Sequence, residues 1–185
     1  VPINLVVNGD FETTPFPTGS GVGYGNPVSW ASAGTGLAGV NGDPTGFTAF
    51  GPATDNNGTA YAFIQNVKFL GKGLTFEENQ EYRVTFDASQ REGGSSASLD
   101  VRILIAGAEF ATYGIFAPTD QFEPHTFPFT TGAGQTAGNI RLHQFAGNAS
   151  GLFDNVSVVA IPEPATLGLL GLAGLGLAAV RRFRI

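Results

Sequence analysis

Apolar and polar side chains alternate at every second position in several short segments of the chain. "YRVTFDAS" at 82–89 and "LDVRILI" at 99–105 both follow this pattern, which is typical of a β-strand with one face in a core. Turn-forming residues separate such segments up to residue 160, and no segment there has a sustained helical stripe. The pattern predicts an all-β antiparallel sandwich. Further strands are predicted at 3–7, 28–32, 59–65, 122–129, 140–145 and 152–159.

Two long glycine-rich stretches, 13–26 and 33–57, are predicted to be loops, where binding sites of sandwiches are common. "GTGLAG" at 34–39 matches a dinucleotide-binding glycine string. It continues into turn formers instead of a helix, so we interpret it as a turn. The length of 185 residues predicts one β-sandwich domain at 1–160, followed by an appended segment at 161–185.

Charge and residue usage exclude several functions. Residues 1–160 contain 14 acidic and 6 basic side chains, a balance of −8, so bulk attraction to nucleic acid is excluded. The chain has no cysteine, which excludes disulfides and thiolate metal sites. Its two histidines, His125 and His143, lie in no metal or catalytic spacing, and no serine elbow occurs. The chain is therefore predicted not to be an enzyme.

Both ends of the predicted domain have a family likeness. "NLVVNGDFE" at 4–12 and "LFDNVSVV" at 152–159 resemble the first and last strands of galactose-binding-like jelly rolls, the fold of many secreted carbohydrate-binding modules. "YAFIQNV" at 61–67, followed by "YRVTFDAS", fits the order of strands in that family. The resemblance implies a jelly-roll sandwich, often with a structural calcium ion between the two ends.

The resemblance implies Glu12 and Asp154 as carboxylate ligands of calcium, with Asp10 as an additional ligand. Calcium takes about six to eight oxygen ligands. Asn8, Asp10 and Glu12 alternate along an extended segment, so their side chains can lean to one side. The alternative is that 8–10 forms a simple turn and that Asp154 is a hydrogen-bonded residue at the end of a strand.

Aromatic side chains suggest a carbohydrate site. Trp30, the only tryptophan, and Tyr61 are candidates for the flat platforms on which sugar rings stack. Tyr24 and Tyr113 could add further faces. The alternative is that Trp30 is a core residue of a sheet.

The C-terminal segment differs from the rest of the chain. Pro162, Glu163 and Pro164 precede an uncharged apolar run at 165–180, and Arg181 and Arg182 follow it. As a helix this run would be about 24 Å long. The order of elements resembles the PEP-CTERM sorting signal of Gram-negative bacteria.

This second resemblance implies a location and a partner. It implies export, a transient membrane stage, recognition by an exosortase at the Pro-Glu-Pro motif, and secretion or surface attachment alongside exopolysaccharide and biofilm matrix. Arginines on the inner side of the membrane fit the positive-inside rule. The opening "VPINLVV", without methionine, suggests that a signal peptide has been removed, although a truncated chain would look the same.

Small residues of the predicted helix suggest self-assembly. Their spacing places them along one helix side, where a second helix can approach closely. Two functions follow: a structural matrix protein that forms a homo-oligomer or filament through this helix, or a surface-displayed carbohydrate-binding module for exopolysaccharide with a cleavable tail. The small residues are Gly168, Gly171, Gly174 and Ala178.

Overall fold

The computed structural model describes residues 3–13, 22–42, 60–66, 68–91, 97–116, 118–146 and 149–162. Within these ranges the protein forms eleven strands and no helix. The strands are β1 (Val22–Tyr24), β2 (Ala31–Gly34), β3 (Leu37–Gly42), β4 (Ala60–Gln65), β5 (Lys68–Thr75), β6 (Glu81–Gln90), β7 (Ser98–Ile105), β8 (Ala108–Phe116), β9 (Glu123–Thr130), β10 (Ala137–Ala146) and β11 (Ser150–Ala160).

The strands form two antiparallel sheets. A six-stranded sheet has the order β1-β3-β4-β11-β6-β9, and a five-stranded sheet has the order β2-β5-β10-β7-β8. This confirms the prediction of an all-β fold with antiparallel sheets. The predicted division into a domain and an appended segment at 160/161 stays a prediction.

The alternation in the sequence explains how the core forms. On β6, Tyr82, Val84 and Phe86 are buried, and the residues between them face outward. Inward side chains of β7, such as Val101 and Ile103, meet them from the other sheet in one apolar cluster. Burying such side chains stabilises the fold by about 1.5 to 3 kcal/mol each.

Four strands, β1, β3, β5 and β8, were not predicted from the sequence. β1 and β3 lie in stretches that were interpreted as loops, and the "GTGLAG" string begins in β2 and ends in β3. β5 contains Gly71 and Gly73, and β8 contains Gly114, which lower strand propensity. Pairing overrides propensity here, because β3 is bonded to strands on both sides and β5 lies between β2 and β10.

The N-terminal segment lies along β11 without forming the strand predicted at 3–7. Asn4 makes an isolated bridge to Val159, and the Leu5 amide donates a hydrogen bond of 2.9 Å to the carbonyl of Val158. Farther along, the Val156 amide donates to the carbonyl of Gly9 at 2.9 Å. These bonds tie the start of the domain to its last strand.

We expect Gly9→Ala to weaken this junction. A Cβ atom on Gly9 would lie 1.9 Å from the Val156 carbonyl oxygen, so the backbone must shift, which costs about 1 to 3 kcal/mol. Gly73→Ala is the matched control, because a Cβ there meets nothing within 4 Å. Thermal unfolding of both variants measures the difference. Equal melting temperatures would show that the junction adapts without cost.

β11 ends where the C-terminal segment begins. The Ile161 amide donates to the carbonyl of Glu81 at 2.8 Å, and the Gln80 side-chain amide donates to the carbonyl of Ile161 at 2.7 Å. Pro162 is exposed. Glu163, Pro164, Arg181, Arg182 and the predicted helix lie outside the described residues, and in the part of the chain that is described no helix could span a membrane.

Candidate functional site

The first candidate region surrounds Asp154 on the outer face of the six-stranded sheet. Asp154 is only 1% exposed and lies opposite Asp87 of β6. The Asn155 amide donates to the Asp154 carboxyl at 2.8 Å, and the Asn155 side chain donates to the Asp87 carboxyl at 2.7 Å. Asn155 has a φ of 50°, within a register shift of β11 between Asp154 and Ser157. This bulge places two carboxyl groups side by side.

Burial raises the pKa of Asp154 to about 8. The Asn155 amide opposes this rise, whereas the negative charges of Asp87, Glu12 and Asp10 add to it. The three residues predicted to bind calcium therefore act on one another electrostatically. A neutral Asp154 at pH 7 is the expected state without a cation nearby.

The surroundings of Asp154 supply oxygen donors, the ligand type that calcium prefers. Glu12 accepts a hydrogen bond of 2.9 Å from the Ala60 amide, and a polar depression of about 300 Å³ lies beside Asn8, Asp10 and Asn155. No group of three or more His, Asp or Glu side chains in the described ranges is arranged to hold a metal ion. The donor chemistry fits calcium, and its ligand set stays a prediction.

The two aromatic residues predicted to bind sugar lie in the interior. Trp30 is 4% exposed, packs on Phe11 with ring centroids 5.4 Å apart, and donates its indole N–H to the Asn8 carbonyl at 3.0 Å. Tyr61 is 0% exposed, contacts Phe122, and accepts a hydrogen bond from Asn41. This corrects the prediction: neither residue presents a ring face to a ligand, because each ring fills apolar space.

The second candidate region is a groove on the outer face of the five-stranded sheet, with a volume of about 370 Å³. Its floor lies on β5, which is hydrogen-bonded to β2 on one side and to β10 on the other. Gly71 pairs with Arg141, and Gly73 pairs with Asn139. Phe69, Gly71 and Gly73 share this face of β5. A Cβ atom at Gly73 would meet nothing within 4 Å, whereas one at Gly71 would touch Phe69 and Arg141, so the backbone is bare at Gly73. The full lining is Ala31, Ser32, Ala33, Phe69, Gly71, Lys72, Gly73, Gly138, Asn139 and Arg141.

Two polar atoms of the groove residues lack partners. The Arg141 guanidinium carbon lies 4.3 Å from the centre of the Phe69 ring, a cation–π contact. Among the described residues, the Arg141 Nε donor and the Asn139 Oδ1 acceptor are buried without a hydrogen bond. Both side chains are only partly buried, and these two atoms are the shielded part of them.

A charge network borders the groove on β7, β8 and β10. Arg102 donates to both oxygens of Asp100 at 2.7 and 2.6 Å, and its Nη1 lies 3.2 Å from Glu109. His143 Nδ1 lies 3.3 Å from the same Asp100 carboxyl. Burial alone would raise the pKa of Asp100, but hydrogen bonds from His143 and Arg102 outweigh it and lower the pKa. These acids are already paired, which leaves Arg141 as a cation without a carboxylate partner among the described residues.

The alternation of polar and apolar residues on β10 is a sequence feature of this groove. Arg141 and His143 alternate with the buried Ile140 and Leu142, so both face outward on one strand. Gly71 lies opposite Arg141, and Phe69 lies opposite His143, which becomes visible only once β5, which was not predicted, is paired with β10.

The chain matches the family model of the PEP-CTERM protein-sorting motif at residues 160–182, which confirms that resemblance. No curated protein matches the chain. Among solved structures, two carbohydrate-binding modules share its fold. CBM4 is 16% identical over 84% of this chain and 99% of its own, with a TM-score of 0.55. TmCBM61, in complex with β-1,4-galactotriose, is 14% identical over 86% of this chain and 99% of its own, with a TM-score of 0.57.

An enzyme shares the fold as well. The Stig cyclase FisC from Fischerella sp. TAU, in complex with an indole compound, is 19% identical over 89% of this chain and 100% of its own, with a TM-score of 0.70. This overturns the prediction that the chain is not an enzyme, because the same architecture serves as a cyclase there. At this identity the likeness shows the fold alone and assigns no reaction.

Proposed function

We propose that the protein is exported to the cell surface and binds a saccharide there through the groove on the five-stranded sheet. The sorting motif at 160–182 supports export, and it implies processing by an exosortase. The fold shared with carbohydrate-binding modules supports a jelly-roll binding domain. The observation that carries the proposal is the groove itself, with the partly exposed polar side chains of Asn139 and Arg141 in its lining.

The groove suits a sugar for physical reasons. Its volume of about 370 Å³ is within the usual range of small-molecule sites, about 300 to 1,000 Å³. A pyranose ring presents hydroxyl groups around its edge, and the partly exposed side chains of Asn139 and Arg141 offer polar groups to them. The bare backbone at Gly73 leaves room for a ring against the sheet.

We also propose calcium as a structural ion beside Asp154. A divalent cation would favour the ionised carboxylate and offset the repulsion among Asp10, Glu12, Asp87 and Asp154. Bound there, it would supply charge neutralisation and join the N-terminal segment to β11. The filament predicted from the small-residue face of the tail concerns residues outside the described ranges, and no described contact favours it.

Filling the groove should abolish saccharide binding. In Gly73→Val, the added side chain enters open space and suits a strand, so the domain should fold while the floor is blocked. We expect native affinity gels with embedded polysaccharides to retard the wild type and not Gly73→Val. Thr112→Val, exposed on β8 of the same sheet, is the control. Equal retardation of Gly73→Val would place binding elsewhere, and no retardation on any polysaccharide would remove the proposed function.

A further inference from the structure

We infer that the groove on the five-stranded sheet selects a saccharide that carries a carboxylate, with Arg141 as the residue that binds the acid group. This inference rests on the proposed saccharide binding and names the chemical class of the ligand. Two independent features of the groove lead to it, its charge and the geometry of Arg141, and a neighbouring polar side chain suits the rest of the sugar.

The charge of the groove is opposite to that of the protein. The chain carries a net charge of −6, yet among the residues that the structure describes Lys72 and Arg141 line the groove and no acidic side chain does. The acids nearest to it in the sheet, Asp100 and Glu109, are both bound by Arg102. An anionic ligand is thus repelled by most of the protein and attracted at this place, which favours specific binding over general adhesion.

The geometry of Arg141 favours a carboxylate over a hydroxyl group. The Phe69 ring, 4.3 Å from the guanidinium carbon, holds the guanidinium in a defined position. A guanidinium edge with two parallel N–H groups matches the two oxygens of a carboxylate. A neutral sugar would leave the charge of Arg141 without compensation.

A second polar side chain lies beside Arg141. Asn139 lies two residues from Arg141 on β10 and faces the same side, about 7 Å away along the strand. Its partly exposed side-chain amide suits a sugar hydroxyl group. A sugar acid carries a carboxylate and hydroxyl groups on one ring.

The test compares two ligands that differ only in the acid group. Trigalacturonate and its carboxyl-reduced trisaccharide are titrated into the full chain by calorimetry. We expect the wild type to bind trigalacturonate at least tenfold more tightly than the reduced form. Arg141→Gln should weaken trigalacturonate binding about 10- to 100-fold, the usual effect of losing a charge-assisted hydrogen bond, and weaken binding of the reduced form much less, because only a neutral hydrogen bond is lost there. Arg141→Lys keeps the charge and loses the paired N–H groups, so its affinity for trigalacturonate should lie between those of the wild type and Arg141→Gln.

Controls separate this inference from bulk electrostatics and from the proposed function. Arg83→Gln makes the same charge change on the other sheet and should bind like the wild type. Gly73→Val should bind neither trisaccharide, and melting curves check that each variant is folded. Equal binding of the two ligands by the wild type would overturn the carboxylate inference and leave saccharide binding in place. Equal weakening by Arg141→Gln and Arg83→Gln would also overturn it, and no binding of either ligand would overturn both proposals.

Discussion

Raising the pH from 4 to 8 without calcium is expected to lower the free energy of unfolding of the wild type much more than that of Asp154→Asn. Burial holds the pKa of Asp154 at about 8 in the folded protein, against 3.8 in the unfolded chain. Below pH 3.8 the carboxyl is protonated in both states. Between these values only the unfolded chain releases the proton, so stability falls as the pH rises and becomes level above pH 8.

The expected size of this effect is large. The difference between the two pKa values corresponds to about 6 kcal/mol, a substantial part of the roughly 5 to 15 kcal/mol that stabilises a typical domain. Asn has nearly the shape of Asp and cannot ionise, so the difference between the two proteins isolates this group from Asp100, whose lowered pKa acts in the opposite direction. Urea unfolding at pH 4, 6 and 8, with chelator present, measures it.

Calcium should reverse the order of stability of the two proteins at pH 8. Without the ion we expect Asp154→Asn to be the more stable protein, and with the ion the wild type. If the ion binds at Asp154, the wild type gains stability with added calcium, and the gain is larger at pH 8 than at pH 5 because the ligand must be ionised. Asp154→Asn should gain little. Magnesium, which demands a tighter octahedral site, is the matched ion control. A calcium response that is equal in both proteins would place the ion elsewhere, and no response would favour the turn interpretation of 8–10.

The fold was predictable where a strand has one buried face. β6 and β7 show the alternation clearly, since Tyr82 to Ala88 and Leu99 to Ile105 place apolar groups at every second position. β1, β3, β5 and β8 were missed because their glycines carry no hydrophobic signal. Their place in a sheet is decided by partners distant in sequence, as when Gly71 and Gly73 of β5 pair with β10. Local patterns do not contain that information.

The candidate site was predicted only in part, for a related reason. Asp10, Glu12 and Asp154 were found because the two ends of the domain resemble a known family, and their mutual electrostatic effect is consistent with one region. The groove was not found, because its residues come from β2, β5 and β10 and form no motif in the chain. Trp30 and Tyr61 were assigned to sugar binding because residue type alone does not distinguish a buried ring from an exposed one.

Trp30→Ala is expected to destabilise the domain by about 3 to 5 kcal/mol, the usual loss for a buried aromatic residue. The change removes the packing of Trp30 on Phe11 and the hydrogen bond from its indole to the Asn8 carbonyl. Trp30→Phe keeps a ring and loses only the donor, so it should cost about 1 to 2 kcal/mol. Tyr24→Ala, which truncates a ring that is 63% exposed, should cost about 1 kcal/mol or less. Chemical denaturation followed by circular dichroism compares the three variants.

The same variants distinguish a core residue from a sugar platform. If Trp30 acts only in packing, Trp30→Phe should bind polysaccharide like the wild type at temperatures where both are folded. The Trp30 indole holds Asn8 by a hydrogen bond to its carbonyl, and the Asn8 side chain in turn donates to the Val28 carbonyl at 2.9 Å. Loss of the indole hydrogen bond should therefore loosen the N-terminal junction beside Asp154. Trp30→Phe should therefore weaken the calcium response while leaving the groove intact. Loss of saccharide binding with unchanged stability would instead support the platform role suggested by the sequence.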